Sequence, residues 1–171
     1  MKTRKTDCWE HAMRSILSSS VLSLCAFTSL AFAQGEPAGD PAAEAIAAYL
    51  EYAELFTTGR PTAEDLQEHH AFPLVQFEPS GQHVVIETLE HYQERLDGYH
   101  AWMDENGVTQ VTIDENIEAE VLNPNMVYLT TIWTFIGDGI SEDCQSVRWD
   151  HIMTRIDGDW NVITDKIFGC A

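Results

Sequence analysis

Apolar residues in this 171-residue chain recur first at helical spacing and then at alternate positions, and the change of period divides its architecture. Ile46, Tyr49, Leu50 and Ala53 share one face of a first helix. Asp40 is its N-cap, Pro41 suits the first helical position, and Gly59-Arg60-Pro61 stops it. Thr62, with Asp65 three residues on, starts a short second helix that ends near His69-His70. Phe72 to Phe77 and Val84 to Ile86 read as two short strands around Glu78-Pro79-Ser80-Gly81. Thr88 then caps the longest helix, which carries Leu89, Tyr92, Leu96, Tyr99 and Met103 on one face until Asn106-Gly107 ends it. Gly98 interrupts it mildly.

From Val108 the period is two, giving strands over about 108–122, 126–137, 144–156 and 160–168. Asn123-Pro124-Asn125, the 138–143 loop and Asp157-Gly158-Asp159 separate them. Pairing across the first turn sets Val121 by Val127, Ala119 by Leu129, Ile117 by Thr131 and Ile113 by Phe135. Odd positions carried through the second loop set Trp133 by Trp149, Phe135 by Val147 and Leu129 by Met153. A last hairpin with Ile156 opposite Trp160 adds Ile163 and Ile167 to that face, which is the core. Glu118, Glu120, Arg148, Asp150 and Lys166 occupy the other face, a charged surface or a homodimer interface.

One pair breaks the apolar face. His151 and Asp165 fall opposite each other, with Thr131 beside them and Trp149, Met153, Ile163 and Ile167 around them. A carboxylate facing an imidazole in low dielectric fixes its tautomer and raises its basicity, as a general base requires. The same pair can equally serve as a satisfied buried contact that orders the sheet.

The N-terminus has a separate character. Arg14 precedes the apolar run Val21-Leu22-Ser23-Leu24-Cys25-Ala26-Phe27, and Ala31-Phe32-Ala33 offers a small-x-small cleavage site before Gln34. Residues 1–33 therefore read as a secretory signal peptide, with Met13 a second candidate start, and the protein as exported to the periplasm or medium. Cys25 is a poor lipidation site because Leu24 stands where lipoprotein processing requires a small residue. Residues 34–171 make one domain, with no room for a second.

The chain carries a net charge of −19, and the leader holds four of its nine basic residues but two of its 28 acidic ones, so the remainder is more acidic still. Nucleic acid is a poor partner, and no stable membrane association is expected after cleavage. Lys166 is the sole lysine after the leader. Cys144 and Cys170 are the cysteines left, and the last hairpin brings them within about two residues of facing each other, so a disulfide is expected.

The order of elements is helix, helix, two short strands, long helix, four long strands. With Phe77-Glu78-Pro79-Ser80-Gly81 before the third helix and Gly158-Asp159-Trp160-Asn161-Val162-Ile163 in the last strand, it resembles the nuclear transport factor two-like superfamily, SnoaL-like members included. The resemblance implies an α+β cone whose curved antiparallel sheet, of two short and four long strands, wraps the helices around a pocket. Members range from ketosteroid isomerase and polyketide cyclases to dehydratases and non-catalytic adaptors, so the fold names no activity.

Three places are similar to ketosteroid isomerase in particular: Tyr52 on the first helix, Glu78 in Glu-Pro-Ser-Gly, and Asp150-His151 on the third long strand. That comparison implies Glu78 as base and Tyr52 with Asp150 as oxyanion donors. A one-residue slip decides whether Asp150 or His151 faces inward, and the plain role of Asp150 is an ion pair with Lys166.

The leading reading is a domain binding a small, largely apolar ligand lined by Tyr49, Phe72, Phe77, Tyr92, Trp133, Trp149 and His151. A cofactor-independent isomerase or lyase acting on a carbonyl-containing substrate, with His151–Asp165 or Glu78 as base, is the alternative; a non-catalytic dimeric interaction domain is the third. His69, His70, His83, His91, His100 and His151 show no metal-ligand spacing, so neither metal nor cofactor is expected.

Overall fold

Each helix opens on a side chain that satisfies a backbone N–H with no partner of its own. Helix α1 (Pro41–Thr58) begins where the Asp40 carboxylate accepts from the Ala42 N–H at 3.0 Å. In α2 (Ala63–Leu66), Thr62 and Asp65 form a reciprocal capping box, and a 3-10 turn over Gln67–His69 follows. The hydroxyl of Thr88 accepts from the His91 N–H at 3.2 Å to start α3 (Leu89–Glu105). The computed structural model describes residues 39–168. The expected leader, its boundary at Gln34 and Cys170 lie outside the described residues.

The strands are β1 (His70–Phe77), β2 (His83–Ile86), β3 (Val108–Ile113), β4 (Glu118–Asn123), β5 (Met126–Gly137), β6 (Ser146–Ile156) and β7 (Asp159–Ile167). They form one open sheet in the order β2-β1-β7-β6-β5-β3, with β4 also on β5. The α+β class stands, with two changes to the sheet. It has seven strands rather than six, and β1 runs parallel to β7, so the sheet is mixed.

The extra strand arises because the expected 108–122 strand breaks. The Asp114 carboxylate accepts from both the backbone and side-chain N–H of Asn116, a local turn that competes with the ladder. β3 and β4 consequently lie end to end along β5, and Ile113 faces Trp133 rather than Phe135. Between β5 and β6 the register also differs by two, with Trp133 facing Val147 and Thr131 facing Trp149. A shift of two leaves every side chain on its expected face.

The last hairpin differs in another way. Asp157 and Gly158, both at positive φ, make a two-residue turn, so Ile156 faces Asp159 rather than Trp160. A β-bulge at Ile163 then restores the lost residue: Met153 faces Val162, but Ile152 faces Thr164 and His151 faces Asp165. Val162 and Trp160, not Ile163, therefore fill the core near the turn.

The helices cover one face of the sheet. Tyr49 and Ala53 of α1 and Tyr92 and Leu96 of α3 pack with Leu74, Leu129, Trp133 and Met153. The buried face of α1 runs through Ala45, Tyr49, Tyr52, Ala53 and Phe56, rotated from the expected stripe through Leu50. Ala119 and Val121, expected in the core, are exposed; Val121 is 47% exposed. No described helix is long and apolar enough to cross a membrane.

Candidate functional site

A cavity of about 280 Å³ opens between α1, α3 and the sheet. Tyr52 and Phe56 of α1, Tyr92, Leu96 and Tyr99 of α3, and Trp149 of β6 supply much of its wall. Asp165 and Ile167 of β7 reach it from the sheet, while Gln76, Glu94, Arg95 and Trp102 also line it. The lining is thus aromatic and aliphatic with one buried carboxylate, Asp165, which is 4% exposed.

Asp165 heads a hydrogen-bonded series running into the core. His151 Nδ1 lies 2.7 Å from Asp165 Oδ1, and His151 Nε2 lies 2.6 Å from the Tyr49 hydroxyl, which accepts from Trp133 Nε1–H at 3.0 Å. An ionised carboxylate only accepts, so Nδ1 carries the proton donated to it. Thr131 Oγ1, which donates to the Trp149 carbonyl at 3.0 Å, lies 3.4 Å from the Tyr49 hydroxyl and 3.3 Å from Nε2. Asp165 Oδ2 makes no hydrogen bond to any described residue, nor is it sealed from solvent-sized space.

A second Tyr–His pair flanks the same carboxylate. His70 Nδ1 lies 3.2 Å from the Leu66 carbonyl and Nε2 lies 3.2 Å from the Tyr92 hydroxyl. Burial holds His70 below its usual range, so this ring is neutral. Burial likewise pushes the Tyr49, Tyr52 and Tyr92 phenols well up, with the Asp165 charge adding to each, so all three stay protonated donors.

The structure sorts the residues singled out from the sequence. Tyr52, Tyr92, Trp149 and Asp165 meet at the cavity. Tyr49, Trp133 and His151 do not line it; they stand one layer behind, where the inward-facing rung of the sheet meets α1. Phe72 packs edge-on to Tyr92 in the core margin, and Phe77, at the end of β1, is 38% exposed beside His83. Glu78 lies outside the cavity, its carboxylate accepting from Arg95 Nη2 at 2.9 Å.

Asp150 is on the outer face, as the strand period requires, yet its partner is not Lys166. Arg148 donates to it from Nε at 2.8 Å and Nη2 at 3.1 Å, Thr130 Oγ1 at 3.2 Å, and the Tyr128 hydroxyl adds a short hydrogen bond. Lys166 instead places its ammonium 4.4 Å over the Phe168 ring. Burial raises the Asp150 pKa, but Arg148, Tyr128 and Thr130 outweigh it, so the carboxyl sits below its usual range. A charged acceptor this saturated cannot serve as an oxyanion donor. Cys144 closes a 3-10 turn over Glu142–Cys144 ahead of β6, and Cys170 is outside the described residues.

Sequence reasoning missed Phe56, Gln76, Arg95 and Trp102. Arg95 was findable as the one arginine of α3 (Leu89–Glu105), which has no lysine. The others are brought in by tertiary packing. No cluster of metal-ligating side chains occurs among the described residues.

No family model matches the sequence, and no curated protein does. Solved structures do match. An NTF2-like protein of unknown function from Shewanella oneidensis aligns with TM-score 0.56 and 14% identity over 75% of this chain and 99% of that one. A supposed scytalone dehydratase from Novosphingobium aromaticivorans aligns with TM-score 0.54 and 10% identity, over 73% and 80%. An NTF2-like protein from Cytophaga hutchinsonii gives TM-score 0.50 and 16% identity, over 71% and 94%. At such identities the likeness is one of fold: this chain has the α+β fold of the NTF2-like superfamily.

Proposed function

We propose that the domain binds a small, largely apolar molecule in the cavity between α1, α3 and the sheet, with one polar group of the ligand against Asp165. The observation that carries this reading is Oδ2 of the buried residue Asp165, a carboxylate oxygen with no hydrogen-bond partner among the described residues, in a mostly aromatic and aliphatic wall. Such a wall with one convergent polar group is the usual composition of a ligand site. N-phenyl-1-naphthylamine, an uncharged dye that brightens in apolar surroundings, tests it. The dye binds the native protein, and Leu96→Trp, which fills the cavity, abolishes binding. Gly98→Phe narrows the cavity from a position where an added Cβ meets nothing within 4 Å, and weakens binding without disturbing the core. Unchanged dye affinity in both variants would overturn the reading.

The series from Asp165 to Trp133 favours a second reading, proton transfer on a carbonyl compound. Asp165 would take a proton from the carbon next to the carbonyl: as Oδ2–H forms, the C–H electron pair becomes a carbon–carbon double bond and the C=O π pair moves onto the oxygen. Return of that proton to another carbon completes an isomerisation without a cofactor. His151, tied to Tyr49, holds the carboxylate in place and stabilises its charge. Deuterium uptake from heavy water into a bound ketone, lost in Asp165→Asn, is the expected sign; no uptake leaves binding alone.

A further inference from the structure

We propose that the cavity selects organic cations, taking a substituted ammonium group against Asp165 inside an aromatic box. This rests on the ligand-binding reading and names the chemistry of its ligand.

The charges facing the cavity can be taken element by element. Helix α1 contributes Tyr52 and Phe56, and β6 contributes Trp149, all neutral. Burial keeps Tyr52, Tyr92 and Tyr99 protonated. β1 brings Gln76, whose carbonyl oxygen accepts from Arg95 at 3.2 and 2.8 Å. α3 brings Glu94 and Arg95, and Arg95 is already paired with Glu78 at 2.9 Å. β7 brings Asp165, whose only hydrogen-bond partner among the described residues is His151, on Oδ1. His70, behind Tyr92, is neutral too. The acidic groups facing the cavity are therefore Asp165, whose Oδ2 has no hydrogen-bond partner among the described residues, and Glu94, an exposed residue of α3.

An unsatisfied carboxylate oxygen in a largely apolar wall is costly, and a bound cation relieves that cost at Oδ2 where a neutral apolar ligand does not. An anion would meet Asp165 and Glu94 with the one nearby guanidinium already neutralised. The rest of the lining suits the same guest. Phe56, Tyr52, Tyr92, Tyr99, Trp102 and Trp149 offer ring faces whose quadrupoles attract ammonium, Trp most strongly. Alkylated ammonium groups are weakly hydrated and lose less than a bare ammonium on entering such a box. The chain's net charge of −19 adds a long-range field that draws cations toward it.

Benzyltrimethylammonium and neopentylbenzene have the same shape and differ by one charge, so they isolate the charge. Both are titrated against the purified protein at low salt, read by tryptophan fluorescence and by displacement of N-phenyl-1-naphthylamine. The expected result is a preference for the cation of about tenfold or more, in the range that cation–π attraction and a carboxylate together supply. Asp165→Asn removes most of that preference. Glu94→Gln, an exposed change that does not touch the core, removes a smaller part and keeps the test open if Asp165→Asn fails to fold. Equal affinity for the two compounds, or a preference that survives both variants, overturns the inference while leaving the cavity a binding site. Failure of both compounds and the dye to bind overturns the underlying reading instead.

Discussion

Asp165 and His151 face each other across the β6–β7 ladder at 2.7 Å, yet only Asp165 reaches the cavity. The imidazole is 2% exposed and spends both nitrogens inside the protein. The two residues therefore answer to different measurements. His151→Gln should cost about 1–3 kcal/mol in urea denaturation, because it leaves buried partners unsatisfied, while moving dye affinity little. Asp165→Asn should do the reverse for a cationic ligand. Loss of binding in His151→Gln at native stability would place His151 itself against the ligand.

Gly98 lies on the cavity side of α3, and an added Cβ there meets nothing within 4 Å. Gly98→Ala should stabilise the protein by about 0.5–1 kcal/mol through helix propensity, with dye affinity unchanged. A thermal melt and a titration check both halves. A fall in stability would mean that the backbone at Gly98 needs freedom that alanine lacks.

His70 sets a pH dependence. Its folded value is held below the usual ~6.5 by burial, which penalises the imidazolium. Folding therefore favours the neutral ring: the contribution is complete above pH ~6.5 and is lost as pH falls through the lowered folded value. Urea midpoints should drop between pH 7.5 and 5.5, and the drop should shrink in His70→Gln. An identical pH profile in the variant would assign the titration to another group.

Export and the Cys144–Cys170 bridge can be read in one intact-mass measurement on protein recovered outside the cytoplasm. The expected chain begins at Gln34 and takes up no thiol reagent until reduced. A bridge across that span contributes about 3–4 kcal/mol on the chain-entropy model, lost on reduction. A diacylated chain beginning at Cys25, or two thiols reactive without reductant, would count against these expectations.

What the sequence disclosed was what local chemistry decides. Asp40, Thr62 with Asp65, and Thr88 cap helices because the oxygen and the N–H it satisfies lie within three residues. The 126–137 strand is legible because Val127, Leu129, Thr131, Trp133 and Phe135 alternate without interruption, all buried. The face of α1 was harder: Ala42, Ala43, Ala45, Ala47 and Ala48 spread weakly apolar positions around the helix, and only packing selects Tyr52 and Phe56. Register shifts of two leave no trace in an alternating pattern. His151 and Asp165 were paired correctly although neither the two-residue turn nor the bulge was foreseen, because the one-residue difference at the turn is cancelled by the one at Ile163. The cavity was legible only in part: Tyr52, Tyr92, Trp149 and Asp165 stood out, but Phe56, Gln76, Arg95 and Trp102 join them through elements distant in sequence.

The bulge at Ile163 makes β7 a strand with two readings. Continued without it, the register set by the turn would bring His151 opposite Thr164 and turn Asp165 to the outside, with Lys166 driven inward. That slipped hairpin must bury a lysine with no carboxylate waiting for it, a heavier penalty than the one irregular ladder step it avoids. Lys166, on the outside of the sheet over Phe168, thus acts as a proofreader of alignment. A residue that touches no part of the cavity decides which face of the strand the cavity receives.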